Sequence, residues 1–139
     1  YIAKILEMPY IKVYEVATFY SMYNLSPVGN YFIQICTTTP CMIRGAYKLV
    51  EACKEKISPN QSELSKNKTC SWTEVECLGA CVNAPIIQIN DDYYEDLNSE
   101  NMVHLLDSLR TGVAANVGTQ NPNRRFSEPE AGLTTLNEI

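Results

Sequence analysis

The sequence predicts one mixed α/β (α+β) domain that follows the end of a helical region and precedes an extended tail. The prediction rests on an apolar run bounded by turn residues, on helical spacing of apolar residues on either side of it, and on a change of composition after residue 110. A chain of 139 residues buries roughly two-thirds of the surface that its unfolded form exposes, so it can form a hydrophobic core without disulfide bonds. We therefore predict a helical end at 1–25, the mixed domain at 26–110 and the tail at 111–139.

The first 23 residues have the pattern of helices. Apolar side chains recur at i, i+3, i+4 and i+7, the spacing that lines one face of a helix, and Pro9 is expected at the helix start. Turn residues at 26–30 end the pattern. The residues with this spacing are Val13, Val16, Ala17 and Tyr20, while Ile2, Ile5 and Leu6 indicate the end of an earlier helix.

The middle of the chain is predicted as a strand, a helix, three strands and a helix. Tyr31–Cys36 is nearly all apolar, as in a central strand covered on both faces. Apolar spacing from Ala46 to Ile57 predicts the first helix, and the polar run at 58–71 predicts a loop. The later elements are strands at Trp72–Cys77, Pro85–Asn90 and Tyr93–Asp96, and a helix with Asn98 as N-cap, Met102, Leu105, Leu106 and Leu109 on its apolar face, and Gly112 at its end. This order is typical of an α/β sandwich of the thioredoxin-like type.

The composition of 111–139 differs from that of the preceding domain. Six of these 29 residues are Leu, Ile, Val or Phe, about 21%, which is close to the level of disordered chain. Such a segment cannot form its own core. We therefore expect either a solvated end or an arm that becomes ordered on a partner.

Charge and composition exclude several classes of function. Eleven Lys and Arg against sixteen Asp and Glu give a net charge of -5, and no basic stripe is present, which argues against nucleic-acid binding. No apolar run approaches the roughly 18 residues of a membrane span, so we expect no direct membrane insertion. With a single histidine and no phosphate-binding glycine loop, we expect no complete active site on this chain. Because the sequence begins at Tyr1 without a Met or a leader, we interpret it as a processed or incomplete chain.

Four of the six cysteines form two close pairs next to predicted strands. Cys36 ends one strand and Cys41 opens the following helix, while Cys77 ends another strand and Cys81 lies in the next loop. Both loops can meet at one edge of a sheet, where four thiolates would repel one another and be costly to desolvate. A cation or a cationic cluster core is therefore the expected reason for this set.

Three chemistries remain open for these four residues. A disulfide is disfavoured by the low cysteine content and by the sufficient core. Structural zinc is the stronger rival, since zinc sites with four cysteines also use paired ligands, usually with about two to four intervening residues. The first pair has four intervening residues and the second has three, and a two-iron cluster accommodates such wide loops. The spacing favours an iron–sulfur cluster over zinc.

The other two cysteines and the histidine have structural interpretations. Cys53 lies on the apolar face of its predicted helix, so we expect a small buried side chain. Cys70 falls in the polar loop, where we expect a free thiol, with the replacement of a missing ligand as the alternative. His104 lies beside the apolar stripe of the last helix, which predicts a surface or packing role.

Four segments of the chain carry a family resemblance. They are Cys36–Ala46, Glu76–Pro85, Val13–Tyr20 and Asn90–Asp96. These segments closely resemble the thioredoxin-like 2Fe-2S subunit of respiratory NADH:ubiquinone oxidoreductase, complex I (the NADH dehydrogenase (ubiquinone) flavoprotein 2 family), over most of residues 10–110. The resemblance implies an N-terminal helical bundle that ends within 1–25, a thioredoxin-like domain, and a 2Fe-2S cluster whose ligands are Cys36, Cys41, Cys77 and Cys81.

The resemblance further implies a role in electron transport in the respiratory chain. In that family the subunit packs against the flavin- and NADH-binding subunit of the peripheral arm, and its cluster exchanges one electron with FMN as a temporary store. It implies membership of a proton-translocating NADH:ubiquinone reductase at the matrix side of the mitochondrial inner membrane, or at the cytoplasmic face of a bacterial inner membrane. Similar subunits occur in NAD-linked hydrogenases and formate dehydrogenases, so another host complex stays an alternative, as does a structural-zinc interaction module. The tail at 118–122 and 132–136 resembles the family's C-terminal extension, which favours an arm lying on a partner.

Overall fold

The computed structural model describes residues 1–113, 116–125, 128–129, 131 and 135 of the chain. Within these residues the order of elements is ααβααβββαβ, with one 3-10 helix at Cys81–Asn83 before the third strand. None of the described helices is long and apolar enough to cross a membrane. The helices are α1 (Ile2–Ile5), α2 (Tyr10–Phe19), α3 (Thr39–Ile43), α4 (Ala46–Lys56) and α5 (Ser99–Thr111), and the strands are β1 (Tyr31–Cys36), β2 (Cys70–Val75), β3 (Ile87–Ile89), β4 (Asp92–Glu95) and β5 (Gly118–Thr119).

The described strands form one mixed sheet in the order β2-β1-β3-β4-β5. Strand β1 is parallel to β2, with Ile33 opposite Trp72, and antiparallel to β3, with Ile35 opposite Ile87. Strand β4 is antiparallel to β3 and parallel to the edge strand β5. Because parallel strands end at the same edge of a sheet, the segments that follow β1 and β2 leave the sheet side by side.

The main hydrophobic core lies between the sheet and helices α4 and α5. Ile33 and Ile35 are fully buried in this core, since alternate residues of a strand share a face. Burying an aliphatic side chain of this size stabilises the fold by roughly 1.5–3 kcal/mol. Trp72 is 1% exposed, and its Nε1–H donates to the Ser58 carbonyl oxygen at 2.9 Å. The helical side chains of this core are Leu49, Val50, Ala52, Cys53, Met102, Leu105, Leu106 and Leu109.

Several predicted elements are confirmed. Strand β1 has the predicted bounds, Tyr31–Cys36, and α4 begins at Ala46. Helix α5 is capped as predicted: the Asn101 N–H donates to the Asn98 Oδ1 at 2.8 Å, and Gly112 ends the helix with φ +73. The apolar residues at helical spacing in α5 are all buried.

The predicted loop at 58–71 is wrong at its C-terminal end. Strand β2 begins at Cys70 and ends at Val75, so it starts two residues earlier than the predicted strand and ends two residues before Cys77. Ser71 also forms an isolated antiparallel bridge with Leu64. Cys70 is therefore a core residue, 3% exposed, rather than a thiol in a polar loop, because pairing with β1 overrides the polar character of the sequence around it.

Two N-terminal helices are present, as predicted, and α2 follows Pro9 directly. No residue of either helix is buried within the described chain. Large apolar side chains lie open, among them Tyr1 at 96% and Phe19 at 79% exposure. The two helices contact each other, with Leu6 and Val13 lining one apolar groove, and many of their other apolar side chains stay exposed.

Part of the predicted tail packs on the chain's own domain. Gly118 and Thr119 form β5 and pair in parallel with Tyr94 and Glu95 of β4. The Gln120 N–H then donates to the Glu95 carbonyl oxygen at 2.9 Å. Of the second tail motif at 132–136, all but residue 135 lies outside the described residues.

Candidate metal centre

The first cysteine pair lies at the end of β1. Cys36 is the last residue of β1 and Cys41 lies in α3, and both are fully buried. Helix α3 begins soon after the strand because Pro40 occupies its first turn, where a missing N–H is tolerated. The Cys36 N–H donates to the Ile86 carbonyl oxygen at 3.2 Å. The fold thus fixes both thiols of this pair in the protein interior.

The second pair lies in the segment that follows β2. Cys77 is exposed, and Cys81 is partly exposed at the start of the 3-10 helix. Their Sγ atoms are 3.3 Å apart, longer than the about 2.05 Å of a disulfide bond, so both are free thiols. Gly79 between them has φ +87, a left-handed conformation that glycine adopts without steric penalty.

The segment from Cys77 to Cys81 lies against the buried pair. Leu78 and Ala80 pack on a second, small hydrophobic cluster that contains Cys36 and Cys41. The Tyr93 hydroxyl donates to the Leu78 carbonyl oxygen at 2.8 Å, which ties the segment to β4. The four paired cysteines therefore share one edge of the sheet, as the positions of the strands predict.

Hydrogen bonds and mutual charge set the thiol pKa values. Burial by itself raises the pKa of Cys36, but hydrogen bonds, chiefly from the Thr38 hydroxyl and the Leu78 backbone N–H, together hold that pKa below its usual value. Burial, followed by the hydrogen bond with Cys36, raises the pKa of Cys41 to about 12. The hydrogen bond with Cys77, followed by burial, raises the pKa of Cys81, and the charge of Cys36 adds to this rise. The two pairs therefore act on each other electrostatically, and four thiolates can be gathered here only with a compensating cation.

The chemistry of the donor set, four cysteine thiols in two pairs, fits a two-iron cluster. In the part of the chain that the structure describes, no three His, Cys, Asp or Glu side chains converge on a point that could hold one metal ion. A structural zinc site requires four ligands around one ion, whereas a 2Fe-2S cluster takes four cysteines over two irons. The four thiols lie in two neighbouring pairs, and the Leu78 N–H donates to the Cys36 sulfur, which agrees with the second requirement.

The remaining cysteines lie in the main core, away from this pair of loops. Cys53 is fully buried on α4, as predicted. Burial raises its pKa, and the neighbouring Cys70 adds to the rise. His104 is exposed on α5, which confirms the predicted surface role. Cys53 and Cys70 are therefore part of the hydrophobic core.

Sequence reasoning did not identify a buried polar cluster beside the second loop. Asn83 and Glu95 are fully buried, and the side chains of Asp96 and Arg124 are each 6% exposed. The Asn83 Oδ1, both carboxylate oxygens of Glu95 and the Arg124 Nε have no hydrogen-bond partner within the described residues. Burial, followed by the charge of Asp96, raises the pKa of Glu95, although Arg124 counteracts this. The segment Asn90–Asp96 contains two of these residues, but its sequence alone does not show that they are buried.

Fold and site together define the class of protein: a thioredoxin-like domain with a four-cysteine site between two loops at one edge of its sheet. The family model of the thioredoxin-like 2Fe-2S ferredoxin matches residues 1–110. The chain belongs to this family, whose cofactor is the 2Fe-2S cluster. The predicted thioredoxin-like fold is confirmed.

Curated relatives confirm the resemblance to a respiratory protein. The chain is 57% identical over 110 residues to an NADH-quinone oxidoreductase subunit of Rickettsia bellii, and the match covers 79% of this chain and 66% of that protein. It is 57% identical over 107 residues to the corresponding protein of Rickettsia typhi, covering 77% of this chain and 63% of that protein. The matched part of the chain thus spans less than two-thirds of the length of these relatives. They are bacterial proteins, so a mitochondrial source is not shown.

Solved structures show the same fold. An NAD+-reducing NiFe hydrogenase in the H2-reduced state aligns with a TM-score of 0.69 at 15% identity, covering 81% of this chain and 19% of that one. A thioredoxin-like 2Fe-2S ferredoxin from Aquifex aeolicus aligns with a TM-score of 0.51 at 21% identity, covering 61% of this chain and 90% of that one. At these identities the likeness concerns the fold.

Proposed function

We propose that Cys36, Cys41, Cys77 and Cys81 hold a 2Fe-2S cluster, and that the chain is an electron-transfer subunit of an NADH:quinone oxidoreductase, complex I. The observation that carries the proposal is the meeting of two thiol pairs, one at the end of β1 and one after β2, at one edge of the sheet. The cluster supplies one-electron transfer when bound. The residues of this chain hold it, shield one side of it from water and leave the other side open.

The two pairs differ in exposure, so the site is open to solvent on one side only. Cys36 and Cys41 are fully buried, whereas Cys77 is exposed. Apolar side chains near the loops are also open, with Ile43 at 74% and Val82 at 45% exposure. The distance from the cluster to a cofactor in a partner protein is therefore shortest on the side of Cys77. We place the flavin- and NADH-binding subunit of the peripheral arm on that side, with FMN as the electron donor.

The domain organisation and location follow from the same proposal. Residues 1–25, whose apolar side chains are open, form the end of a helical bundle, residues 26–110 form the cluster domain, and residues 111–139 form the extended tail. The complex lies at a membrane through its other subunits, at the cytoplasmic face of a bacterial inner membrane or at the matrix side of the mitochondrial inner membrane. The bacterial relatives at 57% identity support the first of these locations.

The test compares a proposed ligand with a cysteine of the main core. Cys77→Ala and Cys70→Ala each remove one thiol, and the two residues lie seven positions apart. Both variants and the wild-type chain are reconstituted anaerobically with iron and sulfide. Iron and acid-labile sulfide are then quantified, and the reduced samples are examined by low-temperature EPR.

Wild type and Cys70→Ala are expected to contain iron and sulfide in equal amounts and to show the signal of a reduced 2Fe-2S cluster. Cys77→Ala is expected to lose most of the signal. Zinc without sulfide in the wild type would replace the proposal with a structural-zinc module, and an unchanged spectrum of Cys77→Ala would remove this residue from the ligand set.

The host complex is tested separately by isolating the intact assembly through a tag on this chain. The relatives at 57% identity are named as NADH-quinone oxidoreductase subunits, so subunits of that complex are the expected companions. Recovery of nickel-containing hydrogenase or formate dehydrogenase subunits would assign the chain to one of the alternative hosts.

A further inference from the structure

The C-terminal segment binds back onto the loop that carries Cys81. The Arg124 Nη2 donates to the carbonyl oxygen of Val82, the residue directly after Cys81, at 2.9 Å. The same guanidinium forms an ion pair with Asp96 and donates to the Glu128 carbonyl oxygen. Its side chain is 6% exposed. The Asp96 carboxylate and the carbonyl oxygens of Val82 and Glu128 replace water at its Nη atoms, whereas its Nε has no partner among the described residues.

Asp96 connects the tail with the same loop from the other side. Its Oδ2 accepts from the Asn83 Nδ2 at 2.8 Å and from the Thr119 hydroxyl. Its N–H donates to the Asn83 carbonyl oxygen at 2.8 Å. The Asn83 amide also donates to the Arg125 carbonyl oxygen at 3.1 Å. Asn83, two residues after Cys81, is therefore held through both its backbone and its side chain.

The two cysteine pairs differ in how the domain itself supports them. The first pair is fixed by β1, by α3 and by burial. The second pair lies outside any strand, with Cys77 exposed and with Gly79 in open space, since nothing lies within 4 Å of its added Cβ position. Arg124 and Arg125 contact the two residues that follow Cys81, and they add to the support that this segment receives from Asp96 and from the packing of Leu78 and Ala80.

We propose that Arg124, acting with Asp96, is a positioning residue for the second ligand loop, so that the tail segment 118–125 locks Cys81 in place for the cluster. This inference rests on the proposed function, because it concerns the support of a proposed ligand. Strand β5 pairs with the edge of β4, and the buried ion pair between Arg124 and Asp96 holds the tail segment against the loop. Removal of the contacts loosens the Cys81 side of the site and leaves the Cys36 side unchanged.

The test uses variants of the full chain that separate the effect of losing the Arg124 contacts from the effect of losing a positive charge. Arg124→Gln removes the contacts of the guanidinium with Asp96 and Val82 together with one positive charge, and Arg125→Gln removes the same charge at the adjacent exposed position. The double variant Asp96→Asn/Arg124→Gln removes the ion pair without changing the net charge. Arg124→Lys keeps the charge but not the planar set of donors. Circular dichroism melting confirms that each variant is folded.

The readouts are the rate of iron loss to a chelator and the EPR g-values. Arg124→Gln, Arg124→Lys and the double variant are expected to lose iron about tenfold faster than wild type, at the low end of the effect of removing outer-shell partners of metal ligands. Their g-values are expected to shift, and those of Arg125→Gln to stay at the wild-type position.

The outcomes distinguish this inference from the proposed function. If the wild type holds no 2Fe-2S cluster, the proposed function fails and the inference fails with it. If the wild type holds the cluster and Arg124→Gln matches Arg125→Gln in iron loss and g-values, only the positioning role is overturned. Wild-type behaviour of Arg124→Lys or of the double variant likewise overturns it, because charge alone would then explain the single-variant effect.

Discussion

Gly79→Ala should weaken cluster binding without weakening the fold. Gly79 has φ +87, and nothing lies within 4 Å of an added Cβ, so the substitution causes no collision. The cost is conformational, roughly 1–2 kcal/mol for an L residue in the left-handed region. In the cluster-free chain this exposed loop can relax and release the strain. With the cluster bound it cannot, so the strain reduces affinity by about 5- to 30-fold.

The matched control is Gly112→Ala. Gly112 has φ +73 and also has nothing within 4 Å of an added Cβ, so the intrinsic strain is similar. It closes α5, however, and cannot relax without fraying that helix. We expect Gly112→Ala to lower the free energy of unfolding by about 1 kcal/mol and to leave cluster affinity unchanged.

The assay combines urea unfolding of the cluster-free chains with chelator-driven iron loss from the reconstituted ones. Gly79→Asn provides an internal check, because Asn tolerates the left-handed region better than Ala and should recover part of the affinity. The reasoning is refuted if Gly79→Ala loses iron at the wild-type rate, or if the two Ala variants change both quantities in parallel.

Two further substitutions test the fold around the site. Gly29→Ala should destabilise the chain by about 1–3 kcal/mol in denaturant unfolding, because an added Cβ would lie 2.6 Å from the Thr69 carbonyl oxygen; a change near zero would contradict this. Glu95→Gln tests the unpartnered buried carboxyl. Burial raises the folded-state pKa of Glu95, so the stability contributed by its protonated form is complete below the unfolded pKa of about 4.3 and is lost as pH rises through the folded pKa. The variant stays neutral and should gain stability over wild type as the pH rises above about 4.3, whereas parallel pH profiles of unfolding would speak against the assignment.

The elements that sequence reasoning predicted well are those with strong local signals. Tyr31–Cys36 is an apolar run between turn residues, and its bounds were predicted correctly. Helix α5 has both an Asn cap and a Gly end, and each is a local hydrogen-bond or conformational requirement. The start of β2 at Cys70 was missed because the surrounding residues are polar, and the strand exists through its register with β1.

Only the part of the site that has a local sequence signal was predicted. Two close cysteine pairs are visible in the sequence, and the ends of parallel strands bring them together. The buried ion pair joins Asp96 of the domain to Arg124, 28 positions later, in a tail whose composition predicts no core. Strand β5 has two residues, too few for any periodicity. No local pattern could have predicted this contact, since it exists only when the tail returns to the edge of β4.

The two halves of the site therefore depend on different parts of the chain. Cys36 and Cys41 lie in β1 and α3, five positions apart, and are buried in one cluster with Ala84 and Ile86. On the other side, the two residues that follow Cys81 form hydrogen bonds with the tail, which the chain reaches only after α5. An open ligand pair gives an electron a short path to a partner, but it also gives water and chelators access to the same thiols. A tail that hydrogen-bonds to the residues after Cys81 fixes the loop without covering it. The thiols then stay accessible to a partner while the cluster is retained.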